Sequence, residues 1–146
     1  MKKTLIILVV VVVLVAAVWL IVVSCKSEDG LSGTFILKSQ NGIAVSPAIT
    51  ATISFSQEEQ TVDDAVQIVY RLSAEFCNIL NASYSIEEGR LITPGLMGTK
   101  KACLEPAGLE QMEADFQLLL SENSNIVVDG KTLTISNGNR SFVFEK

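Results

Sequence analysis

From Gly33 to the end of the chain, the strongest helical pattern is one apolar stripe formed by Leu109, Met112, Phe116, Leu119 and Leu120. Pro106 stands in its first turn, and Glu105, Glu110, Glu113 and Asp115 are weighted toward the positive end of the helix dipole. The helix is therefore expected to open at Glu105-Pro106. Nearly everything around it alternates with a period of two. About eight short strands and one helix imply an α+β fold: a small antiparallel, strongly bent sheet or partial barrel with one packed helix, preceded by an N-terminal hydrophobic segment.

The strands are read from alternation and turn chemistry. Gly33 to Lys38 forms the first, ended by Ser39-Gln40-Asn41-Gly42. Ile49, Ala51, Ile53 and Phe55 alternate with Thr and Ser in a half-buried second. Ser56 to Asp64 reads as a solvated loop: Glu58, Glu59, Asp63 and Asp64 lack the spacing and the glycine of a calcium loop. Val66, Ile68, Tyr70, Leu72, Ala74 and Phe76 alternate without a break and predict one long strand from Ala65 to Phe76. Glu88-Gly89-Arg90 predicts a hairpin, and Pro94-Gly95 is expected to break the sheet. Two closing strand pairs follow, turning at Asp129-Gly130 and Asn137-Gly138.

Ahead of this domain, Lys2-Lys3 precede nineteen apolar residues, Leu5 to Val23. A helix of that length matches the hydrocarbon core of a bilayer, and lysines on its short side orient that end to the cytoplasm. The rest of the chain is then exported. Residues 1–25 are either a lipoprotein signal peptide, with Cys25 as the lipidation site after Val22-Val23-Ser24, or an uncleaved transmembrane anchor with Trp19 near an interface. Residues 26–32 form a short spacer.

Composition excludes several functions. The chain has no histidine, which removes Ser-His-Asp and Cys-His catalysis and His-ligated zinc. Its eleven basic residues include Lys2 and Lys3; the other nine face sixteen acidic residues, a net of −7, which argues against nucleic acid. Carboxylate pairs suited to glycoside hydrolysis are not expected either. Glu87 and Glu88 are adjacent and point to opposite faces of a strand, while Glu110 and Glu113 are an i,i+3 helix pair of the kind that usually faces solvent. No catalytic, cofactor or metal residues are assigned.

Cys77 and Cys103 are the sharpest chemical feature. If Cys25 is lipidated they remain as an even pair in a compartment that permits disulfides. A structural disulfide and a pair of buried free thiols are both open readings; a redox pair would need the missing Cys-x-x-Cys turn.

The order of elements resembles the META domain of HslJ-like envelope proteins. Gly33-Thr34-Phe35, Phe76-Cys77-Asn78 with Tyr84, Thr99 with Ala102-Cys103, Glu113 with Phe116, and Asp129 through Ile135 carry the resemblance, which places a META domain at 33–146. Lys101, where the family commonly has methionine, and Ala82, where glycine often precedes the tyrosine, depart from it. The resemblance implies a non-enzymatic, often membrane-tethered domain of the cell envelope with no established catalytic residues. The expected function is a binding or stress-protective module, its partners the membrane through the N-terminus and a hydrophobic ligand held in a groove beside the helix. The alternative is an accessory subunit docking onto another envelope protein.

Overall fold

A computed structural model of the chain describes residues 30–102 and 106–146. The apolar leader, Cys25 and Cys103 lie outside the described residues. Among those described, no helix is long and apolar enough to cross a membrane.

The described residues form one antiparallel sheet of eleven strands with a single helix. The strands are β1 (Gly33–Gln40), β2 (Ile43–Ala44), β3 (Thr52–Val62), β4 (Ala65–Glu75), β5 (Ile79–Ser83), β6 (Ser85–Glu87), β7 (Arg90–Ile92) and β8 (Leu96–Gly98), then helix α1 (Leu109–Ser121), followed by β9 (Ser124–Asp129), β10 (Thr132–Asn137) and β11 (Arg140–Glu145). They run in the order β6-β7-β9-β10-β11-β1-β3-β4-β5-β8, with β2 beside β1. The sheet stays open: β6 ends one side and β8 the other. A bulge between Leu37 and Ser39, where β1 pairs with β11, interrupts the ladder near its middle and adds to the bend.

One face of the sheet supplies the core. Phe35, Leu37, Ile53, Phe55, Leu72 and Ala74 point inward by strand alternation, and Leu133, Ile135, Phe142 and Phe144 do the same from the closing hairpin. Phe116 seals this face from α1. Its ring centroid lies 5.0 Å from both Phe76 and Phe142 and 5.8 Å from Phe144, and the edge-to-face contacts with Phe142 and Phe144 add to the burial energy.

Three expectations are corrected, while the long strand from Ala65 is found as β4. The stretch from Ser56 is not a loop; β3 continues through it to Val62 and pairs with β4 as far as Val62↔Ala65. The cause is the turn, in which Asp63 and Asp64 take φ values of 50° and 64°, the left-handed pair that a two-residue hairpin demands and Asp tolerates. The alternating face of β4 is buried only in its second half: Leu72 and Ala74 are in the core, while Val66 and Ile68 are 66% and 56% exposed. Pro94-Gly95 only interrupts the sheet, since β8 follows at once and pairs with β5 on the opposite edge from the β6–β7 hairpin. The helix starts at Leu109 rather than at Glu105-Pro106, because Gly108 sits at φ 89° and cannot continue a right-handed turn from Pro106.

The start of the domain is packed down. Tyr84, 5% exposed, donates its hydroxyl proton to the Leu31 carbonyl at 3.2 Å, and its ring meets Phe55 edge-on at 5.2 Å. Gly30 lies against the Tyr70 ring so closely that a Cβ there would fall 2.2 Å from Tyr70 Cδ1. Burial pushes the Tyr84 phenol up from 10.0 to about 12. Folding therefore favours the neutral phenol, and this stabilisation is complete below pH 10 and lost as pH climbs through 12. Denaturant titrations against pH should show the wild type losing about 2–3 kcal/mol across that window through this group. Tyr84→Phe should lose less there, after an initial cost of about 1 kcal/mol for the missing hydrogen bond.

Candidate functional site

Where β4 leaves the sheet, Phe76 N donates to Asn78 O at 3.0 Å and closes a tight turn. The turn buries Asn78 at the mouth of β5, beside half-buried Cys77. Facing it, α1 presents Glu113 in the same stripe as Leu109, Phe116 and Leu120. The steps of four, three and four residues keep all four side chains on one face. Glu113 is 6% exposed, which corrects its assignment to the solvent side of the helix.

Asn78 N donates to Glu113 Oε2 at 2.7 Å and Asn78 Nδ2 to Glu113 Oε1 at 2.9 Å. Gln117 Nε2, one turn along the helix, adds a third bond to Oε1 at 3.2 Å. On the other side of the asparagine, Asn78 Oδ1 accepts from Lys101 N at 2.7 Å and from Thr99 Oγ1 at 3.1 Å. Thr99 Oγ1 in turn accepts from Ile79 N at 3.1 Å, and Thr99 N bonds the Ile79 carbonyl. A chain of bonds thus runs from the helix through Asn78 to the 99–101 segment. Among the described residues, no buried side-chain nitrogen or oxygen is left without a partner.

Such an arrangement holds elements in place. Both carboxylate oxygens of Glu113 and the Asn78 amide are committed to one another and to backbone, so the network fixes α1, β5 and the segment after β8 in one geometry. No group of three or more His, Cys, Asp or Glu comes together among the described residues.

Above this clasp a cleft of about 510 Å³ opens between α1 and β8. Leu80, Leu96, Gly98 and Ala114 give it an apolar floor, and the rest of its lining is polar, with Thr99, Lys100, Lys101, Glu110 and Gln117 joining the clasp residues. A Cβ on Gly98 would lie 2.9 Å from Leu80 Cδ2, so glycine at this position keeps β8 close to β5. On the opposite side of β8 a shallower cleft of about 730 Å³ is bounded by Asn81, Ser83, Met97 and Arg71, whose Nε pairs with Glu58 Oε2 at 3.3 Å.

The sequence placed Cys77, Cys103 and Cys25 as site residues. Only Cys77 is among the described ones, packed against the core next to Asn78. Sequence reasoning missed the Asn78–Glu113 pair. The available signal was an acidic residue inside an otherwise apolar stripe, four after Leu109 and three before Phe116.

The open, antiparallel α+β sheet with one helix clasped to it by these residues defines the class. The model of the META domain family matches residues 30–146, and the chain belongs to that family. Asn78, Tyr84, Thr99, Glu113 and Phe116, which carried the resemblance in sequence, converge on the clasp and the core beneath it. Two solution structures share the fold at 21% identity. One, described as the NMR structure of a protein, matches with a TM-score of 0.60 over 77% of this chain and 86% of its own. The other, from Burkholderia xenovorans, matches with a TM-score of 0.53 over 77% and 79%. A comparison with curated proteins found no match.

The two residues of the clasp should behave differently on substitution. Asn78→Ala keeps the backbone N–H on Glu113 Oε2 but removes the Nδ2 donor from Oε1 and the Oδ1 acceptor from Lys101 N and Thr99 Oγ1, an expected loss of about 2–4 kcal/mol in urea unfolding. Glu113→Gln keeps the shape and an acceptor, and should cost about half as much. Equal stability of wild type and Asn78→Ala would remove the clasp from the list of what holds α1.

Proposed function

We propose that this META domain is a non-catalytic binding or stress-protective module, held at a membrane of the cell envelope on its outer side, whose cleft beside α1 receives an extended hydrophobic ligand such as a peptide or an acyl chain. The observation that carries the reading is the cleft itself, an apolar floor under an edge strand. Among the described residues β8 pairs only with β5, so its other edge offers backbone groups to a ligand that lies along it. A non-catalytic role is supported by the absence of histidine and by the bonds that occupy both Glu113 oxygens.

The tether is the apolar run from Leu5 to Val23, either as an uncleaved anchor or as a signal that delivers Cys25 for lipidation. Export allows Cys77 and Cys103 to bond. The clasp supports that pairing, because Lys101, two residues before Cys103 in sequence, donates its backbone N–H to Asn78, the neighbour of Cys77. A second reading, docking onto another envelope protein, is favoured by a different surface, the outer halves of β3 and β4.

Two measurements test these proposals. Intact mass of the non-reduced, membrane-extracted protein should show the two-proton deficit of a disulfide, together with either an acylated Cys25 or the full leader. In NMR titrations with short-chain phosphatidylcholine and with an extended valine-rich peptide, one of the two should shift the amides of Leu96–Gly98, Ala114 and Gln117. Ala114→Trp, which fills the cleft, should abolish those shifts; spectra unmoved by both probes would remove the cleft as a binding site.

A further inference from the structure

Beyond Phe55 on β3 and Arg71 on β4, the two strands leave the sheet. β1 pairs with β3 only over Thr52–Phe55, and β5 with β4 only over Arg71–Glu75. The remainder, from Ser56 through the Asp63-Asp64 turn to Tyr70, is a two-stranded ribbon whose outer edges carry no strand among the described residues. Two-stranded ribbons standing alone in water are marginal, and exposed edges invite pairing with other chains.

The ribbon's faces are not those of a simple solvated hairpin. Val66 and Ile68 continue the core-facing row of Leu72 and Ala74 past the point where the core ends, and they are the most exposed of that row. Opposite them stand Thr61 and Glu59. Glu59 shares this face, Asp63 and Asp64 form the turn at its tip, and Glu58 lies on the other face, where it pairs with Arg71 at the base. At the base of the ribbon Gly30 rests on the Tyr70 ring, two positions from Ile68.

We propose that this ribbon is a docking arm for another envelope protein, and that its partner presents a cationic, extended segment which pairs with a ribbon edge while its apolar side chains cover Val66 and Ile68. The charges select this occupant from three. A second copy of the chain would bring two acidic ribbons together, and like charges set against each other across paired strands are unfavourable. A bilayer surface carrying anionic lipid would repel the same carboxylates. A basic strand gains from all of them: backbone pairing supplies affinity, and the acidic residues supply the on-rate and the register.

The inference rests on the second functional reading above and is independent of the cleft, so the two are read from different amides. The experiment uses the full chain, isotopically labelled, in nanodiscs of phosphatidylcholine with some phosphatidylglycerol. The probes are an alternating Lys-Val octapeptide and its Glu-Val counterpart. The Lys-Val peptide should shift the amides from Gln57 to Tyr70 and leave Leu96, Ala114 and Gln117 unmoved. Glu59→Lys, on the same face, should weaken it about tenfold, and Val66→Ser with Ile68→Ser by a similar factor, the substituted positions being exposed in the free domain. Equal response to both peptides, no response at the ribbon, or response confined to the cleft would overturn the proposal. So would broadening of Val66 and Ile68 by spin-labelled lipid, which makes the bilayer the occupant, or concentration-dependent self-association through the ribbon, which makes it a second copy.

Discussion

A glutamate that is 6% exposed would be a heavy burden on a small acidic domain unless its oxygens met donors, because removing a carboxylate from water without partners costs several kcal/mol. The donors that Glu113 meets come from Asn78, thirty-five residues earlier in the chain. Formation of that pair therefore requires the turn after β4, the start of β5 and the register of α1 to be correct together. Hydrophobic contact alone would let the helix slide or rotate on the sheet, since Leu109, Phe116, Leu119 and Leu120 offer an apolar surface with little directional preference. The bidentate contact removes that freedom, and Thr99 and Lys101 extend it to the strand that borders the cleft.

This division explains why α1 carries a charged residue in its buried stripe. Phe116, enclosed by Phe76, Phe142 and Phe144, and the buried Leu109, Leu119 and Leu120 supply the burial energy of the helix, whereas Glu113 supplies its position. The open sheet makes position matter. With β6 and β8 at opposite ends of the strand order and no pairing between them, strand hydrogen bonds do not close the structure. The clasp links α1 to β5 and to the segment after β8, and Thr93 Oγ1 donates to the Leu120 carbonyl at 2.8 Å near the β7 side. The helix thus bridges the gap that a closed barrel would fill with strand pairing.

Much of the architecture was legible in the sequence because burial in an antiparallel sheet writes a period of two. The first strand, the long strand from Ala65 and the two closing turns were read from alternation and from Asp-Gly and Asn-Gly. The stretch from Ser56 to Val62 was not, for a physical reason: both its faces meet water, so nothing selects alternation, and the Asp63-Asp64 turn lacks the usual glycine. The start of α1 was misplaced because Pro106 gives a strong helix signal, while the left-handed Gly108 that overrides it depends on tertiary context. Glu113 was misassigned by treating an acidic i,i+3 partner as a surface residue; its place in the stripe with Leu109 and Phe116 was the better guide. The leader, Cys25 and Cys103 fall outside the described residues, and their reading rests on the apolar run and on cysteine parity.

The two exposed surfaces with apolar character lie on opposite flanks of the same strand pair. β5 carries β8 and the cleft, while β4 and β3 run on past the sheet into the ribbon. The clasp sits at the inner end of this unit, where β4 turns into β5. The cleft wall is therefore fixed by buried, fully bonded groups, whereas the ribbon, once past Tyr70, which Tyr84 N holds by its carbonyl, runs on as a two-stranded ladder with exposed faces. Backbone segments with few tertiary contacts and solvent-exposed hydrogen bonds open most readily, so the ribbon is the part of the domain best able to adjust to a partner, and the cleft the part best able to present a preformed shape. A partner taken up by the ribbon would leave the cleft's geometry undisturbed, because Asn78 and Glu113 hold the cleft wall independently of the ribbon.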